Sequence, residues 1–490
     1  MRRSGILLHI SSLPGPDGVG SLGQEAYDFA DFLHRSGMNI WQVLPMGPTG
    51  YGESPYQSSS VFAGNPMLIS IDALEKDGLL KREGDAYEPE DLAHVDFPAV
   101  RRHKEALLRA CFRQSEKKLL KELAAFIRDN AWVEDFALFT AVKRHFGDVL
   151  WTKWPDEGIR LRRKASVAEF RRMLDEEVRY HIFCQYLFRR QWFALKKYCN
   201  GLGISLFGDM PIYVAEDSAD TWTHPEVFQL DRNRVPKRVA GVPPDYFSED
   251  GQLWGNPLYR WTYLRLRGFD WWVERMRGMS GMYDMIRIDH FIGFANYYSV
   301  PYGAPNARNG KWVVGPGKAL FRTLEKKIPG INIIAEDLGC ISPRVQKLLD
   351  YVGYPGMKVL TFGFDGGDDN PHLYTNYGAN CVAYTGTHDN DTVLGWSQSQ
   401  QGDALSKARR MLGFDDVHDA PDAFCRCVMN SPADTVVLPM QDVLALDGSA
   451  RMNLPGTIGS NWLWRMLPGA ADDKTAAYLN ELVKTSNRGN

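Results

Sequence analysis

The sequence predicts an α/β protein with the (β/α)8 fold of a TIM barrel, with large, mainly helical insertions after strands 2 and 3 and no C-terminal β-sandwich domain. Two observations support this fold. Eight short apolar runs, rich in β-branched residues, are typical of buried parallel strands. Helical patterns follow most of them, and eight βα units in order predict a closed barrel with right-handed crossovers. The predicted strands are Ile6–Ile10, Ile40–Leu44, Ile204–Phe207, Met285–Ile288, Ile331–Ala335, Met357–Phe362, Val382–Thr385 and Thr435–Leu438.

Two long segments interrupt this regular order. The first comprises residues 45–203 and predicts an insertion subdomain that is mostly helical from about residue 85, with amphipathic patterns at Lys104–Arg128, Val133–Arg144 and Val167–Cys199. The second comprises residues 211–282 and carries a Pro/Gly-rich, aromatic segment at 241–257. This segment predicts a lid loop, because long loops in compact enzymes tend to cover binding sites.

The later part of the chain continues the barrel pattern. Ser342-Pro343 combines a cap residue with proline at the first helical position, which predicts the start of a helix. After the eighth strand about 50 residues remain, ending in a predicted helix near Lys474–Lys484. This tail is too short for a further all-β domain, so we expect residues 1–490 to form one catalytic barrel.

Composition and charge limit the classes of partner. The chain has 44% hydrophobic and 24% charged residues, which is typical of globular proteins, and a net charge of -3 without long blocks of one sign. We therefore expect no nucleic-acid or membrane partner. Its apolar runs are too short for a transmembrane helix or a signal peptide, and its seven cysteines are dispersed, which favours reduced thiols and a cytoplasmic protein.

The sequence predicts no cofactor and no metal ion. Gly18–Gly23 matches the G-x-G-x-x-G pattern of dinucleotide sites, but seven residues separate it from the first predicted strand and the expected downstream acidic residue is absent. The oxygen-rich segments 364–370 and 388–391 lack the spacing of an EF-hand.

Carboxylates end three of the apolar runs. Asp289, Glu336 and Asp389 follow the fourth, fifth and seventh predicted strands, and Gly208-Asp209 places a further acid after the third. Strand ends of a β/α barrel converge on one face, where these enzymes keep their chemistry. Paired acids in such a position are typical of glycosidic-bond cleavage.

The surroundings of each acid suggest its role. Arg287 lies two residues before Asp289 on an alternating strand and points to the same side, so that it would keep the carboxylate ionised, as a nucleophile requires. Glu336 follows four apolar residues, a setting that raises the pKa of a carboxyl group and suits a general acid. Asp389 follows His388 in a polar loop and is a candidate for holding sugar hydroxyls.

Motifs along the whole chain carry a family resemblance. The chain resembles the amylomaltases, which are 4-α-glucanotransferases related to the α-amylases, over essentially all 490 residues. The motifs are Gly5-Ile-Leu-Leu-His-Ile-Ser-Ser-Leu-Pro14, Ser54-Pro-Tyr-Gln-Ser58, Ala63-Gly-Asn-Pro66, Gly208-Asp-Met-Pro-Ile-Tyr-Val214, Ala240-Gly-Val-Pro-Pro-Asp-Tyr-Phe247, Arg287-Ile-Asp-His290, Ala335-Glu-Asp-Leu-Gly339, Tyr384-Thr-Gly-Thr-His-Asp-Asn-Asp-Thr392 and Asn453-Leu-Pro-Gly-Thr457.

The resemblance implies a set of roles. It makes Asp289 the nucleophile, Glu336 the general acid/base and Asp389 the third acid, in a retaining transfer of α-1,4-glucan segments between maltooligosaccharides. It implies no cofactor, and we expect a monomer or a weak homo-oligomer. The expected substrate contacts are Tyr56, Asp209, Asp245, Tyr246, Phe247, Trp254, Arg287, His290 and His388.

Two alternatives stay open at this point. An α-amylase-like hydrolase would use the same barrel and acids, and a non-catalytic glucan-binding protein would keep the barrel alone. Incubation with maltotriose separates them. A ladder of longer maltodextrins plus glucose indicates transfer, glucose and maltose alone indicate hydrolysis, and no product indicates binding only.

Overall fold

The computed structural model describes residues 2–50, 52–83, 87–244, 249–339, 341–400 and 402–489. All eight predicted strands are present and form one parallel sheet in the order β10-β11-β12-β1-β2-β3-β6-β9, which confirms the barrel. The strands are β1 (Arg3–Leu7), β2 (Ile40–Gln42), β3 (Ser205–Pro211), β4 (Arg238–Val242), β5 (Gln252–Pro257), β6 (Met285–Asp289), β7 (Asn296–Pro301), β8 (Lys311–Val314), β9 (Ile333–Ala335), β10 (Gly356–Val359), β11 (Cys381–Tyr384) and β12 (Thr435–Pro439).

The first and the last strands of the barrel pair with each other, and the barrel is nearly closed. β1 pairs with β12 in parallel along its whole length, from Arg3 opposite Thr435 onward. Between β9 and β10 there is no continuous ladder, and the Ala335 N–H donates to the Pro355 carbonyl at 2.9 Å instead. The side chain of Asp337 also accepts from the Met357 N–H at 2.7 Å, so a carboxylate helps to close this seam.

Two strands differ from their predicted bounds in a way that affects the site. β1 starts at Arg3 because its ladder with β12 starts there, and the predicted residues 8–10 instead lead into a 3-10 turn at Ile10–Ser12. β3 extends to Pro211 because its ladder with β6 continues that far. Asp209 therefore lies within the third strand, whereas the sequence placed it after the strand.

The first insertion is helical where the sequence predicted it, but two predicted helical patterns each divide into two helices. Phe97–Ser115 and Leu120–Asp129 replace Lys104–Arg128, and Lys164–Met173 and Asp175–Gly201 replace Val167–Cys199. The described part of the insertion between β2 and β3 contains α2 to α8, and Ser342 caps α13 by accepting from the Val345 N–H at 3.4 Å. Their bounds are α1 (Gln24–Arg35), α2 (Ile71–Lys76), α3 (Phe97–Ser115), α4 (Leu120–Asp129), α5 (Val133–His145), α6 (Glu157–Arg160), α7 (Lys164–Met173), α8 (Asp175–Gly201), α9 (Ala219–Thr223), α10 (Trp261–Leu266), α11 (Asp270–Met282), α12 (Lys318–Lys327), α13 (Pro343–Val352), α14 (Val393–Ser399), α15 (Asp403–Leu412), α16 (Ala420–Asn430), α17 (Met440–Val443) and α18 (Asp473–Thr485).

A second, antiparallel sheet lies beside the barrel and was not predicted. Its order is β5-β4-β7-β8. β4 and β5 belong to the second insertion and take up both ends of the segment 241–257, which the sequence predicted to be a loop. The prediction missed them because their glycines and the nearby prolines are turn signals, while the pairing of β4 with β7 joins residues about 60 positions apart.

In the described part of the chain, apolar side chains from the barrel strands and the surrounding helices form one large core cluster, and two smaller clusters lie apart from it. Ile6, Ile40, Leu206, Ile286 and Val436 are fully or almost fully buried within the large cluster. Among the described helices, none combines the length and the apolar content that crossing a lipid bilayer requires.

Candidate active site

Asp289 and Glu336 lie side by side at the carboxyl ends of two adjacent strands. Asp289 is the last residue of β6, and Glu336 directly follows β9. The β6–β9 ladder pairs Ile288 with Ala335, so the residue after each member of this pair faces the same end of the barrel. The hydrogen bonding between β6 and β9 continues up to the two acids, since the Glu336 N–H donates to the Ile288 carbonyl at 3.1 Å. The structure thus brings together two acids that are 47 positions apart in the sequence.

Arg287 connects the pair to a third strand. The β3–β6 register places Asp209 directly beside Arg287, and the guanidinium donates to Asp209 Oδ2 and, at 2.8 Å, to Asp289 Oδ1. Burial acts to lower the pKa of Arg287, but the two carboxylates outweigh burial and hold it well above its usual range. The buried Asp209 neutralises part of the positive charge of the Arg287 guanidinium, and the rest of that charge acts on Asp289.

The two central carboxyl groups experience different electrostatic surroundings. Burial raises the pKa of both, but 29% of the Asp289 side chain is exposed, whereas Glu336 is only 7% exposed. Arg287 opposes the rise at Asp289 through a direct hydrogen bond. The negative charge of Asp289 raises the pKa of Glu336 further. Asp289 is therefore the group that loses its proton first, and Glu336 is the group that keeps it.

Two backbone N–H groups fix the orientation of the Glu336 carboxyl. The His290 N–H donates to Oε2 at 2.6 Å, and the Leu338 N–H donates to Oε1 at 2.8 Å. His290 adopts the left-handed backbone conformation, with φ of 54°, directly after Asp289. Such a conformation is strained for a residue with a side chain, and here it belongs to the residue whose N–H holds the acid.

A tyrosine hydroxyl joins Asp209 to the loop after β11. Tyr56 donates to Asp209 Oδ2 at 2.7 Å, and its oxygen lies 2.8 Å from His388 Nε2. The two rings are stacked with centroids 5.3 Å apart. Because burial lowers the pKa of His388, its imidazole is neutral, and the hydrogen-bond pattern assigns the proton to Nε2, which donates to Tyr56.

His290 and Trp254 form the aromatic side of the site. Their rings meet edge to face, with centroids 4.8 Å apart, and Tyr213 lies beyond them. Burial lowers the pKa of His290 to about 4, so the ring is neutral. No described protein atom forms a hydrogen bond with its buried Nε2.

Asp389 lies in the loop between β11 and α14, and its side chain is 42% exposed. Asn453 Nδ2 donates to Asp389 Oδ1 at 2.6 Å, and Arg451 donates to the Asp389 carbonyl at 2.7 Å. Trp462 packs against both Tyr56 and His388, at centroid distances of 5.8 and 6.0 Å. Sequence reasoning placed none of these three supporting residues in the site. The sequence did carry one signal, since Asn453 opens one of the motifs described above.

The structure brings together nine of the predicted site residues through these contacts. Asp245, Tyr246 and Phe247 lie outside the described residues. The assembled group places two carboxyl groups side by side, of which Asp289 loses its proton before Glu336, with neutral imidazoles, a tyrosine and a tryptophan around them. This arrangement suits acid-assisted displacement at a carbon atom that carries an oxygen leaving group.

Known proteins are similar to this chain over most or all of its length. The profile of the 4-alpha-glucanotransferase family matches residues 8–470. A 4-alpha-glucanotransferase from Thermus thermophilus is 46% identical, with 99% of each chain covered, and one from Streptococcus pneumoniae serotype 4 is 45% identical, with 95% of this chain and 93% of the relative covered. The structure of an amylomaltase from Streptococcus agalactiae in complex with acarbose superposes with a TM-score of 0.97 at 40% identity, covering 100% of both chains.

Proposed function

The chain belongs to the 4-alpha-glucanotransferase family, the amylomaltases, and from this starting point we propose the roles of its residues in the transfer of α-1,4-glucan segments. Asp289 is the nucleophile, Glu336 is the general acid and base, and Asp389 binds the sugar whose bond is broken. The observation that carries the proposal is the adjacency of Asp289 and Glu336 in surroundings that make Asp289 the first of the two to lose its proton.

The first step breaks the donor glucan. An Asp289 oxygen attacks the anomeric carbon while Glu336 gives its proton to the glycosidic oxygen, so that the carbon–oxygen bond breaks and the shortened glucan leaves with a free 4-hydroxyl group. A β-linked glycosyl-enzyme remains on Asp289. Loss of the Asp289 charge in this step lowers the pKa of Glu336, because that charge raises it in the free enzyme. Glu336 is thereby prepared to act as a base.

The second step forms the new bond. Glu336 removes the proton from the 4-hydroxyl of an incoming sugar, whose oxygen attacks the anomeric carbon and releases Asp289. Two displacements restore the α configuration. The two backbone N–H groups that hold Glu336 favour its charged form, which stabilises the state it must reach between the two steps.

Transfer prevails over hydrolysis only when a sugar acceptor reaches the intermediate before water does. We assign this task to Tyr246, Phe247 and Trp254. The position of Trp254 supports this assignment, since its ring packs on His290, whose N–H contacts Glu336. Replacing Tyr246 and Phe247 by alanine is expected to raise the ratio of hydrolysis to transfer, measured as reducing ends released per transfer event.

Maltooligosaccharides and longer α-1,4-glucans are the proposed donors and acceptors. The related amylomaltase structure is a complex with acarbose, which supports sugar binding by this chain. Incubation with maltotriose is expected to yield glucose together with a ladder of longer maltodextrins. If glucose and maltose alone appear, this chain acts as a hydrolase.

Asp289→Ala tests the assignment of the nucleophile. We expect nearly complete loss of turnover with glucan binding preserved, because Arg287 and Asp209 remain in place to hold the site. A variant of the exposed acid Asp473, which lies on α18 and outside the site, serves as the control. Maltotriose turnover near the wild-type rate in Asp289→Ala would refute the role of Asp289.

We also propose that the enzyme acts in the cytoplasm, as a monomer or a weak homo-oligomer. The six cysteines within the described residues are free thiols, which is consistent with a reducing compartment. Cell fractionation and light scattering of the purified protein test the two statements separately.

A further inference from the structure

One buried carboxylate contacts both ends of the loop that carries Asp389. Asp442, on α17 directly after β12, is only 2% exposed. One of its oxygens accepts from Thr385 Oγ1 at 2.5 Å, and the other accepts from the Val393 N–H at 2.7 Å. Thr385 is the residue after β11, and Val393 is the first residue of α14. The seven residues between them, 386–392, are here named the Asp389 loop.

The rest of the Asp389 loop is held differently. Within it, the Asn390 side chain accepts from the N–H and the hydroxyl of Thr387, both at 2.8 Å. At its tip, Arg451 and Asn453 contact Asp389. A small cavity of about 30 Å³, lined in part by the buried His9 and by Gln441, borders the loop. The position of the loop therefore depends on contacts at its two ends, within it and at its tip.

We propose that Asp442 is a positioning residue for glucan transfer, which acts by holding both ends of the Asp389 loop. With its ends fixed, the loop presents Asp389 and His388 to the sugar at the point of cleavage without loss of alignment. Asp442 itself touches no substrate. This inference rests on the proposed role of Asp389, and it adds a residue from the eighth strand unit of the barrel to the support of the site.

The alternative is that Asp442 only stabilises the fold, and Asp220 offers a matched comparison. Asp220 is 4% exposed and accepts one backbone hydrogen bond, from the Val61 N–H at 2.9 Å, at a place that does not contact the Asp389 loop. For both Asp220 and Asp442, burial raises the pKa to about 6. Replacing either one removes a buried carboxylate of similar character, but only one of the two replacements releases the loop.

The test measures kcat and KM with maltotriose at a temperature well below the lowest melting temperature of the variants. The melting temperature of each variant is measured separately. Because a misplacement of about 1 Å can reduce turnover about 10²-fold, Asp442→Ala is expected to lower kcat by about that factor. KM should change only a few-fold, since Asp389 acts mainly in the transition state. Asp442→Asn should recover most of kcat, because its amide can accept from Val393 and donate to Thr385. Thr385→Val, which breaks one of the two bonds, should give an intermediate kcat.

The control and the failure outcomes are distinct. Asp220→Ala should lower the melting temperature with kcat near that of the wild type. If Asp442→Ala or Thr385→Val lowers only the melting temperature, Asp442 is merely structural and the inference is wrong. If Asp442→Ala does not fold, Thr385→Val still decides. Asp389→Asn is measured in parallel. Full activity in Asp389→Asn refutes the proposed catalytic role of Asp389, whereas an inactive Asp389→Asn with an unchanged Thr385→Val refutes only the positioning role.

Discussion

Replacing Glu336 by glutamine separates proton transfer from the other contributions of this residue. The change keeps the size of the side chain but removes its acid and base functions. General acid–base catalysis contributes about 10²–10⁴-fold to a rate, so turnover of maltotriose by Glu336→Gln should fall by about that factor. A donor such as α-maltosyl fluoride needs little protonation of its leaving group, and the first step with this donor should be much less affected.

The structure also gives the stability cost of this substitution. The Glu336 carboxyl accepts one N–H on each oxygen, from His290 and from Leu338. A glutamine offers only one acceptor oxygen, so its NH2 group must face one of these two donors. A buried donor left without a partner costs about 1–3 kcal/mol, and we expect the free energy of unfolding to fall by about this amount. Asp337→Asn is the matched control, because Asp337 is the neighbouring acid and accepts from the Met357 N–H through one oxygen only.

The decisive assay is the mass of the enzyme after mixing with the fluoride donor. Without a base to activate the acceptor, the glycosyl-enzyme should accumulate, and peptide mapping should locate the sugar on Asp289. Azide needs no deprotonation and should restore release of the sugar as an α-glycosyl azide. If Glu336→Gln loses the fluoride and maltotriose reactions equally and forms no adduct, Glu336 does not serve as the proton donor.

Three further predictions concern the same site. Turnover should fall at low pH as Asp289 becomes protonated and at high pH as Glu336 loses its proton. Because burial raises the pKa of Asp289, the loss at low pH should begin above the ordinary range of aspartate. A rate that stays flat to below about pH 4, which is that ordinary range, would contradict this assignment. Tyr56→Phe breaks the link to His388 and the charged hydrogen bond to Asp209. The free energy of unfolding, measured by urea titration, should therefore fall by about 1.5–3 kcal/mol, and kcat should fall with it. Unchanged values of both would refute the role of this link. His290→Gly should be about 1 kcal/mol more stable than His290→Ala, because only glycine adopts a φ of 54° without strain, and the reverse order would show that the conformation is not costly.

The positions of the strands could be predicted because buried parallel strands are nearly continuous apolar runs. This signal found all eight barrel strands, including β9, of which the structure retains only Ile333–Ala335. The ends of the strands depend on register with neighbours distant in the sequence, which is why Asp209 was placed after β3. Its position within the ladder, beside Arg287, is what makes the ion pair possible.

The acids could be predicted from the sequence, but their supporting residues could not. Asp289, Glu336 and Asp389 each follow an apolar run, and this local pattern is visible without a structure. The contacts of Asn453 with Asp389, and of Asp442 with Thr385, join positions 64 and 57 residues apart. No periodicity connects such residues, because their proximity results from the pairing of strands that are far apart in the sequence. The antiparallel sheet β5-β4-β7-β8 was missed for the same reason.

The pairing of the first barrel strand with the last has a consequence for biosynthesis. β1 is made before every other barrel strand but finds one of its two neighbours only when Thr435–Pro439 has been made. The side chain that contacts Asp389, at Asn453, is translated later still. The nascent polypeptide therefore carries an open sheet with a vacant edge until β12 has been made, and during this time aggregation competes with folding. The active site is therefore complete only after every barrel strand has been synthesised.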